Sequence, residues 1–136
     1  MKFHKDGTRP IFGEVFVFGS NLAGIHGAGA AKAARLYYGA KLGVGIGPQD
    51  ISQAHIDIKS YAIPTKDAKI ETLPLDIIKY YVDGFVAYTK VHKDTQFFIT
   101  RIGCGLAGYE DKDIAPMFKE CGDNCSFAEL WEKYLK

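Results

Sequence analysis

Apolar runs alternate with stretches of helical periodicity along this chain, and the alternation predicts an α/β fold. Three continuous runs of β-prone apolar residues are typical of strands buried on both faces of a sheet. These predicted strands cover residues 15–18, 60–64 and 96–102. Because strands and helices alternate throughout, we expect a largely parallel or mixed sheet flanked by helices.

Four helices are predicted, over residues 30–38, 74–92 and 111–120 and from Ser126 onward. Gly39 ends the first helix, since glycine favours the position just after a helix. Thr72 is expected to cap the second helix, whose apolar residues recur at helical spacing. Ser126, with Glu129 three residues later, forms the capping-box pattern of a helix start.

Glycine, proline and polar residues mark the remaining segments. Residues 1–13 are polar and broken by glycine and proline, which indicates a lead-in or an edge strand. In residues 41–47 apolar residues alternate with glycine, as in a short strand. Residues 48–57 are polar and are predicted to form an exposed loop. No internal repeat stands out, so residues 1–136 are expected to form one domain.

Length and charge narrow the classes of function. With 136 residues, of which 47% are hydrophobic, the chain can bury a core without disulfides. Its formal charge of +1 gives no general attraction to nucleic acid or to an anionic membrane. The N-terminus has no apolar signal segment, no apolar run is long enough to span a bilayer, and the cysteines number three. We therefore expect a cytoplasmic protein with reduced thiols and no metal site.

Two glycine-rich loops carry the clearest functional signal. Gly19, Gly24, Gly27 and Gly29 lie between the first strand and the first helix, and the sequence GCGLAGY follows the third strand at residues 103–109. Such a loop at a helix start directs backbone N–H groups, and the positive end of the helix dipole, toward an anion. The loops therefore favour a phosphorylated ligand, although tight turns alone could also account for the glycines.

Several polar side chains follow the predicted strands. Because ligands of open α/β sheets lie beyond the carboxyl ends of the strands, Asn21, His26, Lys66 and Asp67 are expected to furnish the pocket. The alternatives are structural. Asn21 could bond its own backbone, His26 could be a solvated or structural histidine, and Lys66 could be an exposed lysine. Cys104 has no base beside it, which favours a small buried residue over a nucleophile.

The spacing GCGLAG also matches the dinucleotide-binding fingerprint. That fingerprint requires a following βαβ unit and an acidic residue about 20 positions downstream. Too little chain follows Gly108 for such a unit. A P-loop is excluded because the sequence lacks its glycine-to-lysine pattern.

The segments GIHGAGAAKAARLYYGAKLG, SYAIPTKD and FFITRIGCGLAGYEDKDIA together resemble a macrodomain over residues 14–118. The likeness is greatest to the group of the terminal ADP-ribose protein glycohydrolase and to macrodomain-like proteins of bacteria and phages. It implies a three-layer fold, a mixed sheet between helices, with ADP-ribose across the strand ends and no cofactor.

The resemblance also implies roles for single residues. Gly27, Ala28 and Gly29 match the first phosphate loop of the family. Thr65 and Lys66 resemble the Thr-Lys pair of the glycohydrolase, whose lysine attacks the anomeric carbon of the distal ribose. The second loop, which wraps the phosphates and the distal ribose, is matched by Gly103, Cys104, Gly105 and Leu106 and continues through Ala107, Gly108 and Tyr109.

This chain departs from the family pattern at two places. The glycohydrolase has an aspartate directly after its Gly-Cys-Gly-Leu, where this chain has Ala107, and no aspartate lies at the usual adenine-binding position near the first strand. For a hydrolase, the candidate catalytic residues are therefore Lys66 with Asp67 or Glu110 as acid–base partner. The alternatives are a non-catalytic module that senses or sequesters the nucleotide, and a hydrolase of another nucleotide phosphate ester.

Overall fold

Six strands and four helices make up the fold in the computed structural model, which describes residues 1–50 and 58–136. The strands are β1 (Lys2–His4), β2 (Glu14–Asn21), β3 (Gly47–Asp50), β4 (Ile58–Lys66), β5 (Gln96–Ile99) and β6 (Cys125–Ala128). The helices are α1 (Gly29–Tyr37), α2 (Leu75–Val91), α3 (Asp111–Ile114) and α4 (Glu132–Leu135). Short 3₁₀ helices, Ala115–Phe118 and Glu129–Trp131, follow α3 and precede α4.

The strands form one mixed sheet in the order β1-β6-β5-β2-β4-β3. Every neighbouring pair is parallel except β3 and β4, which are antiparallel. The central strands β5, β2 and β4 therefore end side by side. Since ligands of such sheets bind beyond the carboxyl ends of the strands, this edge is where a site is expected.

Helices cover both faces of the sheet, which confirms the predicted three-layer α/β arrangement. On one face α1 packs its alanines against Phe16, Phe18 and Phe98. The other face carries the larger core, in which α2 and the C-terminal elements bury Phe85, Phe118 and other large apolar side chains. Among the described residues, no helix has the length and apolar composition needed to cross a membrane.

The start predicted for the last helix is wrong: Ser126 lies inside β6, and helical structure begins at Glu129. All four residues of β6 are buried, and the strand pairs with β5 on one side and with β1 on the other. Sheet hydrogen bonds along both edges outweigh a local capping signal, because burying these residues in a helix would leave β1 and β5 without their neighbour. Residues 2–4 pair with β6 and form an edge strand of the sheet. Of the two predicted alternatives, a lead-in segment or an edge strand, the second is therefore confirmed for these residues.

Three further boundaries differ from the predictions. Residues 41–46 are not a strand, and Pro48 belongs to β3 rather than to an exposed loop; residues 51–57 of that predicted loop lie outside the described residues. The N-cap of α2 is Pro74, while the Thr72 hydroxyl donates to the carbonyl oxygen of Ala107 at 3.1 Å. The third predicted helix is divided into α3 and a 3₁₀ helix that begins at Ala115.

Candidate functional site

A cleft of about 560 Å³ opens at the carboxyl ends of β2, β4 and β5. We call it the glycine cleft, because the first glycine loop (residues 22–28) and the second glycine loop (residues 103–109) form two of its walls. The lining residues are Gly19, Ser20, Asn21, Ile25, Gly27, Ala28, Gly29, Ala30, Ala31, Thr65, Lys66, Ile70, Thr100, Arg101, Ile102, Gly103, Gly105, Leu106 and Ala107. The two loops predicted to bind phosphate thus lie at one site.

The N-terminus of α1 faces this cleft without a cap of its own. Ala28 is the N-cap residue and makes no side-chain cap hydrogen bond, and the first turn contains no acidic residue. The first N–H groups of a helix have no partner within it, and together with the helix dipole they favour an anion. Residues 28–31 line the cleft, so these donors are available to a ligand there.

Residues 41–46 form a bracing loop behind the first glycine loop. A Cβ atom at Gly24 would lie 2.3 Å from the backbone of Gly43, and one at Gly45 would lie 1.9 Å from the carbonyl oxygen of Asn21. The Ser20 hydroxyl also donates to the Gly45 carbonyl oxygen. The close contact requires glycine at positions 24 and 45, whereas Gly43 and Gly47 have positive φ (+88° and +81°), which glycine adopts without strain.

His26 and Asn21, both predicted to contact ligand, stabilise the first glycine loop from within. The His26 ring is buried, and its Nε2 atom lies 2.9 and 3.1 Å from the carbonyl oxygens of Lys41 and Val44. It is absent from the cleft lining, unlike Asn21. The Asn21 amide donates to the Ile25 carbonyl oxygen at 2.7 Å and accepts from the Ile25 N–H at 3.0 Å. Both contacts favour the structural alternatives for these side chains.

The second glycine loop turns at two residues with left-handed backbone, Gly103 and Gly108 (φ +79° and +87°). A Cβ atom at Gly103 would lie 3.1 Å from the Ile114 side chain, a tight contact that adds to the preference for glycine set by φ. Tyr109, predicted to bind ligand, donates its hydroxyl to the Leu73 carbonyl oxygen at 2.7 Å. Tyr109 therefore joins the loop to the segment that precedes α2.

Leu106 and Cys104 occupy opposite environments in this loop. Leu106 is 69% exposed, and its Cδ1 atom lies 3.5 Å from the point that a Cβ at Gly29 would occupy. The second glycine loop thus approaches the start of α1 at Leu106. Cys104 does not line the cleft; burial, with a smaller contribution from Asp111, raises the pKa of its thiol to about 12. A thiol that stays protonated at neutral pH is a poor nucleophile, which favours the structural role.

Lys66 and Thr65, at the end of β4, both line the cleft. Thr65 donates to the Ser20 carbonyl oxygen across the β2–β4 junction at 3.4 Å. Within the described part of the chain, the Lys66 ammonium has neither an ion pair nor a hydrogen bond. A lysine that lines a cleft and has no ion pair among the described residues is suited to binding an anion or, when deprotonated, to acting as a nucleophile.

The two carboxylates predicted as acid–base partners are engaged elsewhere. Asp67 accepts from the backbone N–H groups of Lys69 and Glu71, which closes the turn after β4. Glu110 is an exposed residue at the N-cap of α3, and its carboxylate pairs with Lys112 at 3.3 Å. Neither carboxylate lines the glycine cleft.

Arg101 lines the cleft and is absent from the sequence-based candidates. Its Nε and Nη2 atoms donate to the two carboxylate oxygens of Asp111 at 2.9 and 2.8 Å, and Nη1 lies 3.3 Å from an oxygen of Asp6. These hydrogen bonds and charges raise the pKa of Arg101. The basic residue two positions before GCG could have been noted in the sequence, but its partners are distant along the chain.

A second, smaller groove of about 280 Å³ adjoins the glycine cleft, and both contain Thr100. We call it the aromatic groove, since it is lined by Phe16, Tyr37, Tyr38 and Phe98 together with His4, Ala33 and residues 6–10. His4 stacks on Phe98 with ring centroids 3.8 Å apart, and burial lowers the pKa of this imidazole. Planar apolar walls of this kind suit a flat ring.

Comparisons with solved structures support the fold, whereas no protein-family model and no curated protein matches the chain in sequence. A protein of unknown function from Bacteroides thetaiotaomicron superposes with a TM-score of 0.62 at 19% identity, over 93% of this chain and 96% of that one. A second protein from that organism gives 0.56 at 19% identity, over 94% and 99%. Thermosipho africanus DarTG, solved in complex with ADP-ribose, gives 0.59 at 14% identity, over 86% of this chain and 38% of that one. At these identities the likeness concerns the fold, which is macrodomain-like.

Proposed function

We propose that this protein binds ADP-ribose, or a related nucleotide derived from NAD, in the glycine cleft. One observation carries the proposal: two glycine loops and the uncapped N-terminus of α1 border a single cleft at the ends of three adjacent strands. The fold's likeness to a protein solved with ADP-ribose supports this ligand over other phosphorylated compounds.

The geometry suggests how such a ligand would lie. Its diphosphate would accept from backbone N–H groups at the start of α1, whose first turn contains no acidic residue. The ribose distal to the base would lie beside Thr65 and Lys66. The base would extend past Thr100 into the aromatic groove, whose rings can stack on it.

Calorimetry with a glycine variant tests the binding site. A Cβ atom at Gly27 meets nothing within 4 Å, so Gly27→Val should fold, yet its side chain would occupy the wall of the cleft. We expect its affinity for ADP-ribose to be roughly tenfold weaker or worse, because the backbone can no longer approach the phosphates. Gly84→Ala, in α2 and outside the cleft, is the matched control. Parent-like affinity in folded Gly27→Val would reject this site.

Hydrolysis of an ADP-ribosyl linkage is the second candidate function, and it is favoured by the Lys66 side chain, which lines the cleft and is unpaired within residues 1–50 and 58–136. In such a reaction the neutral Lys66 amine would form a bond to the anomeric carbon. The bond to the leaving group would break with its electron pair, and water would later release the sugar. The leaving group also needs a proton, and neither Asp67 nor Glu110 lines the cleft. We therefore expect slow turnover at most.

An assay on ester-linked and N-linked ADP-ribosyl peptides separates the enzyme from the binder. Lys66→Ala should abolish turnover and still bind ADP-ribose, whereas Lys69→Ala, an exposed lysine in the following turn, should behave like the parent. If Lys66→Ala retained turnover, residues other than Lys66 would have to carry out the reaction. Tight binding with no turnover by the parent would decide for a non-catalytic module.

A nucleotide panel distinguishes the remaining alternative, a hydrolase of another nucleotide phosphate ester. ADP-ribose, NAD and AMP are compared as ligands in calorimetry and as substrates in a phosphate-release assay. Preference for AMP, or release of phosphate from it, would favour that alternative.

A further inference from the structure

Ile70 adopts a backbone conformation that isoleucine rarely has. Its φ of +65° makes it the only residue other than glycine with positive φ in the described ranges, 1–50 and 58–136. A branched Cβ makes the left-handed region particularly unfavourable, so a residue such as Ile70 is strained there. Strain of this kind persists only where the surrounding structure enforces it.

The turn after β4 enforces this conformation. The Asp67 N–H donates to the Glu71 carbonyl oxygen at 2.8 Å, and the Ile70 N–H donates to the Asp67 carbonyl oxygen at 3.1 Å. The Asp67 carboxylate accepts from the N–H groups of Lys69 and Glu71 and closes the turn from the other side. Glycine or asparagine at position 70 would satisfy the same turn with less strain. The turn therefore does not explain why isoleucine is present.

Core packing does not explain it either. The Ile70 side chain is 41% exposed and belongs to neither cluster of buried apolar residues. It lines the glycine cleft together with Thr65 and Lys66, four residues after the lysine. A strained backbone thus holds a partly exposed apolar side chain at the ligand site.

We propose that Ile70 is a specificity-determining residue that covers the apolar face of the ligand's distal ribose beside Lys66. The inference rests on the proposed function and deepens it. In the free protein the side chain gains little from burial, whereas a bound sugar ring would remove it from water and compensate for the strain. The same contact excludes water from the sugar carbon nearest Lys66.

Ile70→Gly separates a role in binding from a role in folding, because the two predict opposite results. Glycine relieves the strain, so we expect the melting temperature of the free variant to rise by about 3 °C. The variant loses the side chain that covers the sugar, so we expect its affinity for ADP-ribose to fall roughly fivefold to tenfold in calorimetry. AMP, which lacks the distal ribose, should bind parent and variant equally.

Ile77→Gly is the matched control, since Ile77 is 39% exposed, lies in α2 and is outside the cleft. Its melting temperature should fall, because glycine weakens a helix, and its affinity for ADP-ribose should match the parent. Equal affinities of Ile70→Gly and the parent, or a lower melting temperature for Ile70→Gly, would overturn the role of Ile70 alone. If the parent itself binds no ADP-ribose, the proposed function fails and this inference fails with it.

Discussion

At the residue scale, three donors converge on the carboxylate of Asp111. Arg101 supplies Nε and Nη2 at 2.9 and 2.8 Å, and the indole Nε1 of Trp131 lies 2.7 Å away. These contacts tie the residues before the second glycine loop to α3 and to the C-terminal part of the chain. The hydrogen bond from Arg101 is the largest cause that lowers the pKa of Asp111, with the Trp131 hydrogen bond contributing.

Asp111→Asn should therefore lower the free energy of unfolding at pH 7 by about 2 kcal/mol, through the loss of charge-assisted hydrogen bonds. The folded pKa lies below the unfolded one, so the stabilisation is complete above about pH 4 and disappears as the pH falls through the folded pKa. Urea unfolding of parent and variant between about pH 7 and pH 2.5 measures the difference.

Asp83→Asn is the control for that series, because Asp83 forms an exposed i,i+4 pair with Lys79. Its effect at pH 7 should stay below about 0.5 kcal/mol. An Asp111→Asn difference that is equally small, or that stays constant down to the lowest pH, would show that the carboxylate charge does not stabilise this region.

The sequence indicated the glycines of the site and missed Arg101 and Ile70, for different physical reasons. Glycine in a loop restricts the local backbone, so Gly27, Gly29 and Gly103 can be recognised without knowing their neighbours. Arg101 acts through a carboxylate ten residues away, which no local pattern indicates. The strain at Ile70 depends on φ, and isoleucine is the residue from which a positive φ is least expected.

At the scale of elements, long-range pairing decided the places where sequence patterns were misleading. The capping box at Ser126 is a genuine local signal, but β6 fills the position between β5 and β1, and its hydrogen bonds prevail. The strand predicted at residues 41–47 is not formed by residues 41–46, because the glycines there serve positive φ at Gly43 and close backbone approach at Gly45. By contrast, α2 was predicted to within one residue at each end, because helical periodicity over 17 residues is a strong signal.

Within α2, Gly84 offers a clean test of helix propensity. It is exposed, lies in the middle of the helix, and a Cβ atom there would meet nothing within 4 Å. Gly84→Ala should raise the free energy of unfolding by roughly 1 kcal/mol, because alanine loses less backbone entropy on folding. Thermal or urea unfolding checks the value, and calorimetry should find ADP-ribose affinity unchanged. A loss of stability would contradict this argument from helix propensity.

At the scale of the whole molecule, the site is a consequence of strand order. The alternation of strands and helices predicted a sheet between helices, and the rule for strand ends predicted which edge would carry the loops. Strands β5, β2 and β4 are adjacent in the sheet. The hydrophobic pattern of the sequence could not predict this, because adjacency depends on how the crossover connections pass over the sheet. Strand β3 pairs with β4 in the antiparallel direction. No local pattern in the sequence indicated this pairing.

Because the two glycine loops follow different strands of one sheet, a ligand held between them should slow their opening together. We predict that ADP-ribose at a hundred times its dissociation constant stabilises the protein by about 2.7 kcal/mol. Amide hydrogen exchange should slow in residues 22–28 and 103–109 alike, because each loop contributes a wall of the same cleft. Gly27→Val, measured at the same ADP-ribose concentration, should lose protection in both loops, since the ligand is the link between them. Protection confined to the first loop would contradict a ligand that spans the cleft, and would limit the site to the phosphate-binding start of α1.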